Sequence, residues 1–420
     1  MIVSNTIKGW TFYKWILLIV ALNSMSAWFF WGIQGIHQLL LPFVALVCLF
    51  IVYFISPKLF YERNRKVSII ICSLFLLSKL WAGRMTNFFG LFDILISVVL
   101  VSSVVYLRKE YKKDLLVFLT KGVAILLGIS LAGWFVNYFI TSLPASYDEF
   151  QQWGQKYINH FFFIEKDVFD WQNLIIPRFY SVFLEPGHLG TLIAVFLLFN
   201  KYNLKDRYVL ILFIAEFFTF SVAGWLLTVF GYFMSLLEKS RLRVFHLILG
   251  VGIIIGGYLF FTKYKGGDNI VSRMVFDRYG QNRENIFVEN NRTTTFFDKW
   301  FEINFLESSN ILFGAEIPKD IQEGSVGGKY YLATNGVFGI ILLFIYLFYV
   351  FISNKSYKSL ILFVIYTGIF LNEASEFFWT FYPMLYILCA ETFSEQKVIS
   401  QTNRVSKIKY SPIRLKNTQS

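Results

Sequence analysis

Residues 178–190 carry the side chains that are best suited to chemistry in this chain. Arg178, Glu185 and His188 lie where a long loop leads into an apolar run. Ionisable groups at a bilayer boundary are costly and are usually retained for function. Histidine exchanges protons near neutral pH, and arginine forms paired hydrogen bonds with anionic groups. We therefore expect the chemistry of the protein at this junction.

The composition of the chain indicates the environment in which such a site would work. Of the 420 residues, 56% are hydrophobic and only 16% are charged, which is more apolar surface than a soluble domain can hide from water. We predict an all-α polytopic integral membrane protein with about twelve transmembrane helices. The predicted spans are 12–31, 38–56, 67–82, 88–107, 114–140, 179–199, 206–220, 221–237, 244–261, 331–352, 357–372 and 377–392.

The seventh and eighth spans are predicted from one nearly continuous apolar run, 208–237. We divide this run at Ser221-Val-Ala-Gly224, because small residues permit a tight turn or a broken helix. With this division, basic residues fall on alternate connections along the whole chain.

That alternation orients the protein in the membrane. By the positive-inside rule, both termini face the cytoplasm, and a single transmembrane domain (1–392) is followed by a basic cytoplasmic tail (393–420). The other short connections contain only Arg84. The net charge of +12 is spread over many connections, which argues against a nucleic-acid partner. The basic connections carry Lys58, Arg63, Arg65, Lys66, Arg108, Lys109, Lys112, Lys113, Lys201, Lys205, Arg207, Lys239, Arg241, Arg243, Lys355 and Lys358.

Two long loops, about 141–178 and 262–330, then lie on the external side. Loops of this length are usually functional or disordered, and the aromatic content of these two argues against disorder. The aromatic stretches 150–163 and 293–306 are predicted as amphipathic helices on the membrane surface. The external face is therefore the elaborated face of the protein.

No part of the sequence predicts a cofactor. The cytoplasmic side has no domain for a nucleotide, and no loop carries a phosphate-binding glycine motif. The three cysteines, Cys48, Cys72 and Cys389, lie within apolar runs and offer neither a disulfide framework nor the spacing of a metal site. We predict chemistry that needs neither a metal nor a nucleotide.

Three motifs in this chain are similar to those of a known family. They are Arg178…Ser181-x-Phe183-x-Glu185-Pro186-Gly187-x-x-Gly190, Thr219-Phe-Ser221-Val-Ala-Gly224, and Ile311-Leu-Phe-Gly314 followed by Asn335-Gly336-Val-Phe-Gly339. On these motifs the chain resembles O-antigen and capsular polysaccharide polymerases of the Wzy type, within the superfamily that includes the O-antigen ligases. The resemblance covers the topology of the whole chain but only short stretches by residue pattern.

The resemblance implies an enzyme at the outer face of the bacterial inner membrane. Such enzymes join oligosaccharide repeat units carried on undecaprenyl pyrophosphate. A hydroxyl of the acceptor sugar attacks the anomeric carbon of the donor chain, and the lipid pyrophosphate leaves. The implied partners are the lipid-linked glycan and membrane lipid, with a chain-length regulator and a flippase as further candidates.

The resemblance also implies roles for particular residues. Arg178 would bind the pyrophosphate. Among the arginines of the late loop we favour Arg292 and then Arg283 as second contacts to pyrophosphate or sugar, the alternative being that they pair with neighbouring Asp or Glu side chains. Glu185 and His188 would be the catalytic residues. The alternatives are that Arg178 reaches to lipid headgroups, that Glu185 holds an arginine in place, and that His188 is a hydrogen-bonded structural residue.

The general base stays open because the sequence departs from the family at one place. Many members carry a histidine before the Asn-Gly motif, where this chain has Gly327-Gly-Lys-Tyr-Tyr331. If 178–185 is helical, the seven-residue spacing of Arg178 and Glu185 brings them near one face. The proline at 186 favours a break that leaves the carboxylate facing a cavity.

Other functions and other ionisable residues are weighed against this prediction. A lipid-linked oligosaccharide flippase or polysaccharide transporter would show internal repeats and midplane polar residues, and the sequence has no repeat. An O-antigen ligase-type glycan transferase shares the fold and the leaving group.

No catalytic role is assigned to the ionisable residues inside the apolar runs or at their short external turn, which are Lys79, Asp93, Lys121, Glu216, Glu373 and Glu376.

Overall fold

The computed structural model describes most of the chain. The described residues are 2–25, 27–33, 37–60, 65–82, 88–150, 155–166, 177–239, 295–318, 327–373 and 381–393, with isolated positions between 252 and 264.

Helices dominate the structure. Each predicted apolar run overlaps a helix, except 244–261, which lies largely outside the described residues. The prediction of a helical protein is therefore confirmed. The helices are α1 (Ile2–Ser24), α2 (His37–Ile55), α3 (Arg65–Ala82), α4 (Phe88–Tyr106), α5 (Lys109–Phe139), α6 (Pro186–Phe199), α7 (Arg207–Thr219), α8 (Val222–Lys239), α9 (Gly328–Ser353), α10 (Tyr357–Glu373) and α11 (381–393).

The division of the run 208–237 is confirmed. Helix α7 ends at Thr219, and Phe220 adopts a left-handed conformation with φ 48°. Ser221 then starts α8, because its Oγ accepts a hydrogen bond from the Gly224 amide at 3.2 Å. The small residues therefore form a cap and a turn between two helices.

The loop predicted at about 141–178 contains a sheet, so the all-α prediction is wrong there. Strands β1 (Ser146–Phe150), β2 (Gln155–Asn159) and β3 (Ile164–Lys166) are antiparallel, in the order β1-β2-β3. The amphipathic helix expected at 150–163 is replaced by these strands. Tyr157 and Asn159 are buried on alternate positions of β2, which is the period of a strand rather than of a helix.

The late loop does contain a helix. Thr295–Trp300 is α-helical and continues into a π-helical turn, Phe301–Phe305. Phe297 and Phe305 are buried, and they pack with Phe301 against Ala333 of α9. The helix predicted at 293–306 is confirmed, whereas its position on a membrane surface stays a prediction.

Apolar helices with exposed hydrophobic faces indicate a membrane protein. Helices α5 and α9 are the two in the described part of the chain that pass both a length and a hydropathy test for spanning a bilayer. Shorter apolar helices accompany them, among them 43–55, 94–106 and 186–199. The face of α2 leaves Phe54 78% exposed and Phe50 52% exposed, which suits lipid better than water.

A buried ion pair ties α5 to α11. Lys112 Nζ lies 2.7 Å from Glu391 Oε2, and both side chains are almost fully buried. Lys112 also donates to the Val105 carbonyl at 2.8 Å. Lys112 is thus a core residue, although the sequence places it among the basic residues of a short connection. A more exposed pair, Lys14 and Asp114, joins α1 to α5 at 3.0 Å.

Breaking the buried pair should destabilise the protein much more than breaking the exposed one. Lys112→Met leaves the Glu391 carboxylate buried without its cation, which should lower the free energy of unfolding by roughly 3–5 kcal/mol. The control, Lys14→Met, removes a pair whose aspartate is half exposed and should cost at most about 1 kcal/mol. Apparent melting temperatures in detergent compare the two variants. Equal melting temperatures would contradict a stabilising role for the Lys112–Glu391 pair.

Candidate functional site

The segment 177–185, which precedes α6, is buried but not helical. Its backbone groups bond instead to several surrounding elements. The Phe179 amide donates to the Phe218 carbonyl of α7 at 2.9 Å, and the Ser181 carbonyl accepts from the Ile164 amide of β3 at 2.8 Å. The Ser181 hydroxyl pairs with Ser130 of α5 at 2.9 Å. The sixth predicted span therefore begins as an irregular segment and becomes helical only at Pro186.

Arg178 is held at the end of α7. Its Nε donates to the Thr219 carbonyl at 2.9 Å, and Nη2 donates to the Phe220 carbonyl at 3.4 Å. These carbonyls are at the negative end of the helix dipole, which attracts a cation. The guanidinium is therefore positioned by the α7–α8 turn.

Glu185 and His188 lie at the start of α6. Glu185 is the N-cap residue, Pro186 takes the first helical position, and the Glu185 side chain forms no capping hydrogen bond. Glu185 Oε2 lies 3.9 Å from His188 Nε2. The Glu185 side chain is 29% exposed, whereas that of His188 is 4% exposed. The carboxylate is thus the accessible member of the pair.

The helix predicted between Arg178 and Glu185 is wrong, so their seven-residue spacing does not place them on one helix face. The break expected at Pro186 is confirmed, because α6 begins there. The physical reason is that proline lacks an N–H and suits the first turn of a helix.

The first two motifs meet at a close contact between α6 and α8. A Cβ atom added to Gly190 would lie 2.8 Å from Ser221 Cβ and 3.3 Å from Gly224 Cα. A Cβ on Gly224 would lie 2.8 Å from Gly190 Cα. Only glycine at both positions permits this approach. It places the α6 N-terminus beside the turn that holds Arg178.

Glu216 of α7 lies at the same contact. Its carboxyl is buried against Gly224, and its side chain is 2% exposed. The sequence marks Glu216 only as a carboxylate deep in an apolar run. The packing of the helices places Glu216 against the Gly190–Gly224 contact, and the sequence does not predict that packing.

The two parts of the third motif also come together. Helix α9 breaks at Gly336, where φ is 66°, and the loop 311–314 docks at the break. The Phe338 amide donates to the Leu312 carbonyl at 3.1 Å, and Trp81 Nε1 donates to the Asn335 carbonyl at 2.7 Å. The third motif is therefore the place where the loop 311–314 packs against the break in α9.

Some predicted residues cannot be placed. Arg283, Arg292 and Glu376 lie outside the described residues, as do the side chains of Asp93 and Glu373. Within the described ranges, no group of three or more His, Cys, Asp or Glu side chains could hold a metal ion.

The sheet supports the segment 177–185 from outside. The Tyr157 hydroxyl donates to the Leu184 carbonyl at 3.3 Å. At the edge of the sheet, His160 Nε2 lies 3.4 Å from Glu165 Oε1, and the His160 ring stacks on Phe163. Burial lowers the pKa of His160 and raises the pKa of Glu165. Both groups therefore favour their neutral forms in the folded protein.

No protein-family model, curated protein or solved structure matches this chain.

Gly224→Ala should disrupt the contact on which the site is built. The added methyl group meets the Gly190 backbone and the Glu216 carboxyl, and backbone atoms cannot move aside cheaply. Gly252→Ala is the control, because a Cβ there has no neighbour within 4 Å among the described residues. Size-exclusion profiles and melting temperatures report the outcome. If Gly224→Ala behaves like Gly252→Ala, the close contact is not present in solution.

Acidification should loosen the sheet through His160. Because folding lowers the pKa of His160, its contribution to stability is present above the ordinary value of about 6.5 and is lost as the pH falls. Glu165 has the opposite effect on stability. Because folding raises its pKa, the folded protein loses stability as the pH rises through that raised pKa. The measurement is limited proteolysis of the sheet from neutral to acidic pH, and cleavage should increase as the stability contributed by His160 is lost.

The variant His160→Phe separates the two groups. It keeps an aromatic ring against Phe163 and removes the titrating imidazole, so the acid-side increase in proteolysis should disappear. An increase of the same size in His160→Phe would show that another group causes it.

Proposed function

We propose that the chain is a membrane glycosyltransferase that polymerises undecaprenyl-pyrophosphate-linked oligosaccharide repeat units and releases the lipid pyrophosphate. The proposal includes about twelve spans, cytoplasmic termini and a site at the external face of the bacterial inner membrane. It also includes membership of the Wzy-type polymerases. The exposed apolar faces of the helices and the alternation of basic connections support the membrane topology.

One observation carries the proposal. Arg178, fixed on the α7–α8 turn, and the Glu185–His188 pair at the α6 N-terminus lie on elements that meet at the Gly190–Gly224 contact. A cation and a proton acceptor are therefore built into adjoining elements. Glycosyl transfer from a lipid pyrophosphate to a sugar hydroxyl uses both of these groups.

The proposed chemistry assigns one task to each group. The acceptor hydroxyl oxygen forms a bond to the anomeric carbon of the donor, and the bond from that carbon to the pyrophosphate oxygen breaks. Arg178 stabilises the charge that develops on the pyrophosphate. Glu185 takes the hydroxyl proton, because it is the more exposed member of its pair, and His188 orients the carboxylate from behind.

A transporter of lipid-linked oligosaccharide is the second candidate, and Glu216 is the observation that favours it. Transporters place polar residues deep in their helices, and Glu216 is such a residue. A ligase-type transferase would use the same cation and the same leaving group. Product analysis is needed to distinguish these three functions.

Reconstitution with native lipid-linked repeat units tests the proposal. The wild-type protein in lipid vesicles should produce a ladder of glycan lengths on a gel. Arg178→Lys keeps the charge but loses the planar fork, and Glu185→Gln removes the base, so each should lower the rate by about 10²–10³. Arg207→Lys and Glu302→Gln, at exposed positions, are the matched controls.

Two outcomes would contradict the polymerase. Transfer of repeat units across the bilayer without a ladder would favour the transporter. Transfer of whole chains to a different acceptor would favour the ligase. Melting temperatures of the variants check that Arg178→Lys does not act merely by releasing the end of α7.

A further inference from the structure

A buried polar seam runs along α8, starting at the Gly190–Gly224 contact. Gly224, Thr228 and Gly231 lie on one face of α8, since they are four and three residues apart. Glu216 of α7 lies against Gly224, and the Tyr202 hydroxyl, from the connection between α6 and α7, lies against Gly231. The seam thus extends from the candidate site toward the opposite end of the helices.

The polar groups of this seam lack hydrogen-bond partners among the described residues. Both carboxyl oxygens of Glu216, Thr228 Oγ1 and the Tyr202 hydroxyl are buried and have no partner in that part of the chain. Thr228 and Glu216 do not reach hydrogen-bonding geometry with each other. Buried polar groups of this kind are usually satisfied by water or another ligand.

The charged and titratable groups around Glu216 do not pair with it in the described part of the chain. Arg178 binds the Thr219 and Phe220 carbonyls beyond the end of α7. Lys121 of α5 stacks on Tyr208, near the other end of α7. On α6, His188 faces Glu185. An ionised carboxylate in this position would therefore lack a compensating cation in the described part of the chain, which strongly disfavours the charged form.

We propose that Glu216 is a buried proton-binding site, neutral at rest, whose carboxyl exchanges its proton with water held in the seam by Thr228 and Tyr202. The ligand of this site is a proton together with the water that carries it. The proposal does not depend on the glycosyl transfer described above. In a polymerase the site could store the proton of the acceptor hydroxyl, and in a transporter it could couple proton movement to the substrate.

Infrared difference spectroscopy of the full chain in lipid at neutral pH tests the protonation state. The carbonyl band of protonated carboxyls should contain a Glu216 component that is present in the wild type and lost in Glu216→Gln, an isostere of the neutral acid, whereas a component from another neutral acid such as Glu165 should remain. The band should shift in D₂O, because the proton exchanges with water. Glu302→Gln, at an exposed carboxylate, is the control and should leave this band unchanged.

A second measurement locates the protonated group in the chain. Dicyclohexylcarbodiimide adds to protonated carboxyls in apolar surroundings, with no leaving group, and the adduct is found by peptide mass spectrometry. Glu216 should be labelled, whereas Glu391, which is buried beside Lys112, should not be. Thr228→Val combined with Tyr202→Phe should slow the exchange in D₂O.

Each opposite result would overturn the proposal. If Glu216→Gln leaves the infrared band unchanged, Glu216 is ionised in the wild type. If the band is lost but does not shift in D₂O, Glu216 is a sealed structural acid. A large fall in melting temperature for Glu216→Gln would show that a charged Glu216 stabilises the fold through a pair.

Discussion

A backbone that crosses an apolar interior without forming a helix must find its hydrogen-bond partners in other elements. Residues 177–185 are such a backbone. The Trp28 amide donates to the Val182 carbonyl at 2.9 Å, while α7 and β3 bond to Phe179 and Ser181. Because these elements share the segment, the start of α6 is fixed only when all of them are in place. The three-stranded sheet, which the sequence does not predict, is therefore part of the support of the site.

Glycine residues allow the same arrangement at two places in the fold. At Gly190 and Gly224, the backbones of α6 and α8 approach until side chains cannot fit between them. At Gly336, the break in α9 accepts the backbone of loop 311–314, and a Cβ there would meet the amide of Gly314. In both cases a helix end or break lies against another backbone. The functional motifs of the sequence are thus first of all packing motifs, and any chemistry depends on that packing.

The sequence predicts the features of the fold that are local. Apolar length predicts helices, and the small residues at 221–224 predict the end of α7 and the start of α8. Proline at 186 predicts a break within the span 179–199, and α6 begins at that residue. The strand pairing between 146–150 and 155–159 depends on partners elsewhere in the chain, and aromatic content alone does not separate it from an amphipathic helix.

The sequence likewise predicts the local part of the candidate site but not its long-range contacts. Residue type and position at a loop–helix junction make Glu185 and His188 candidates, and the structure places Glu185 Oε2 3.9 Å from His188 Nε2. The contact of Arg178 with the carbonyls of Thr219 and Phe220 joins residues about forty positions apart, so only the packed structure could reveal it.

Two buried carboxyls show how packing decides the role of similar residues. Glu391 faces Lys112, and the pair neutralises its charge, so Glu391 ties α11 to α5. Glu216 faces the backbone of Gly224, which supplies no charge and no side chain. Although Lys112 is a core residue, the predicted orientation in the membrane does not depend on it, because Arg108, Lys109 and Lys113 still make the connection between α4 and α5 basic. The helix opposite each carboxyl therefore decides whether it stabilises the fold as an ion or stays neutral and ready to exchange a proton.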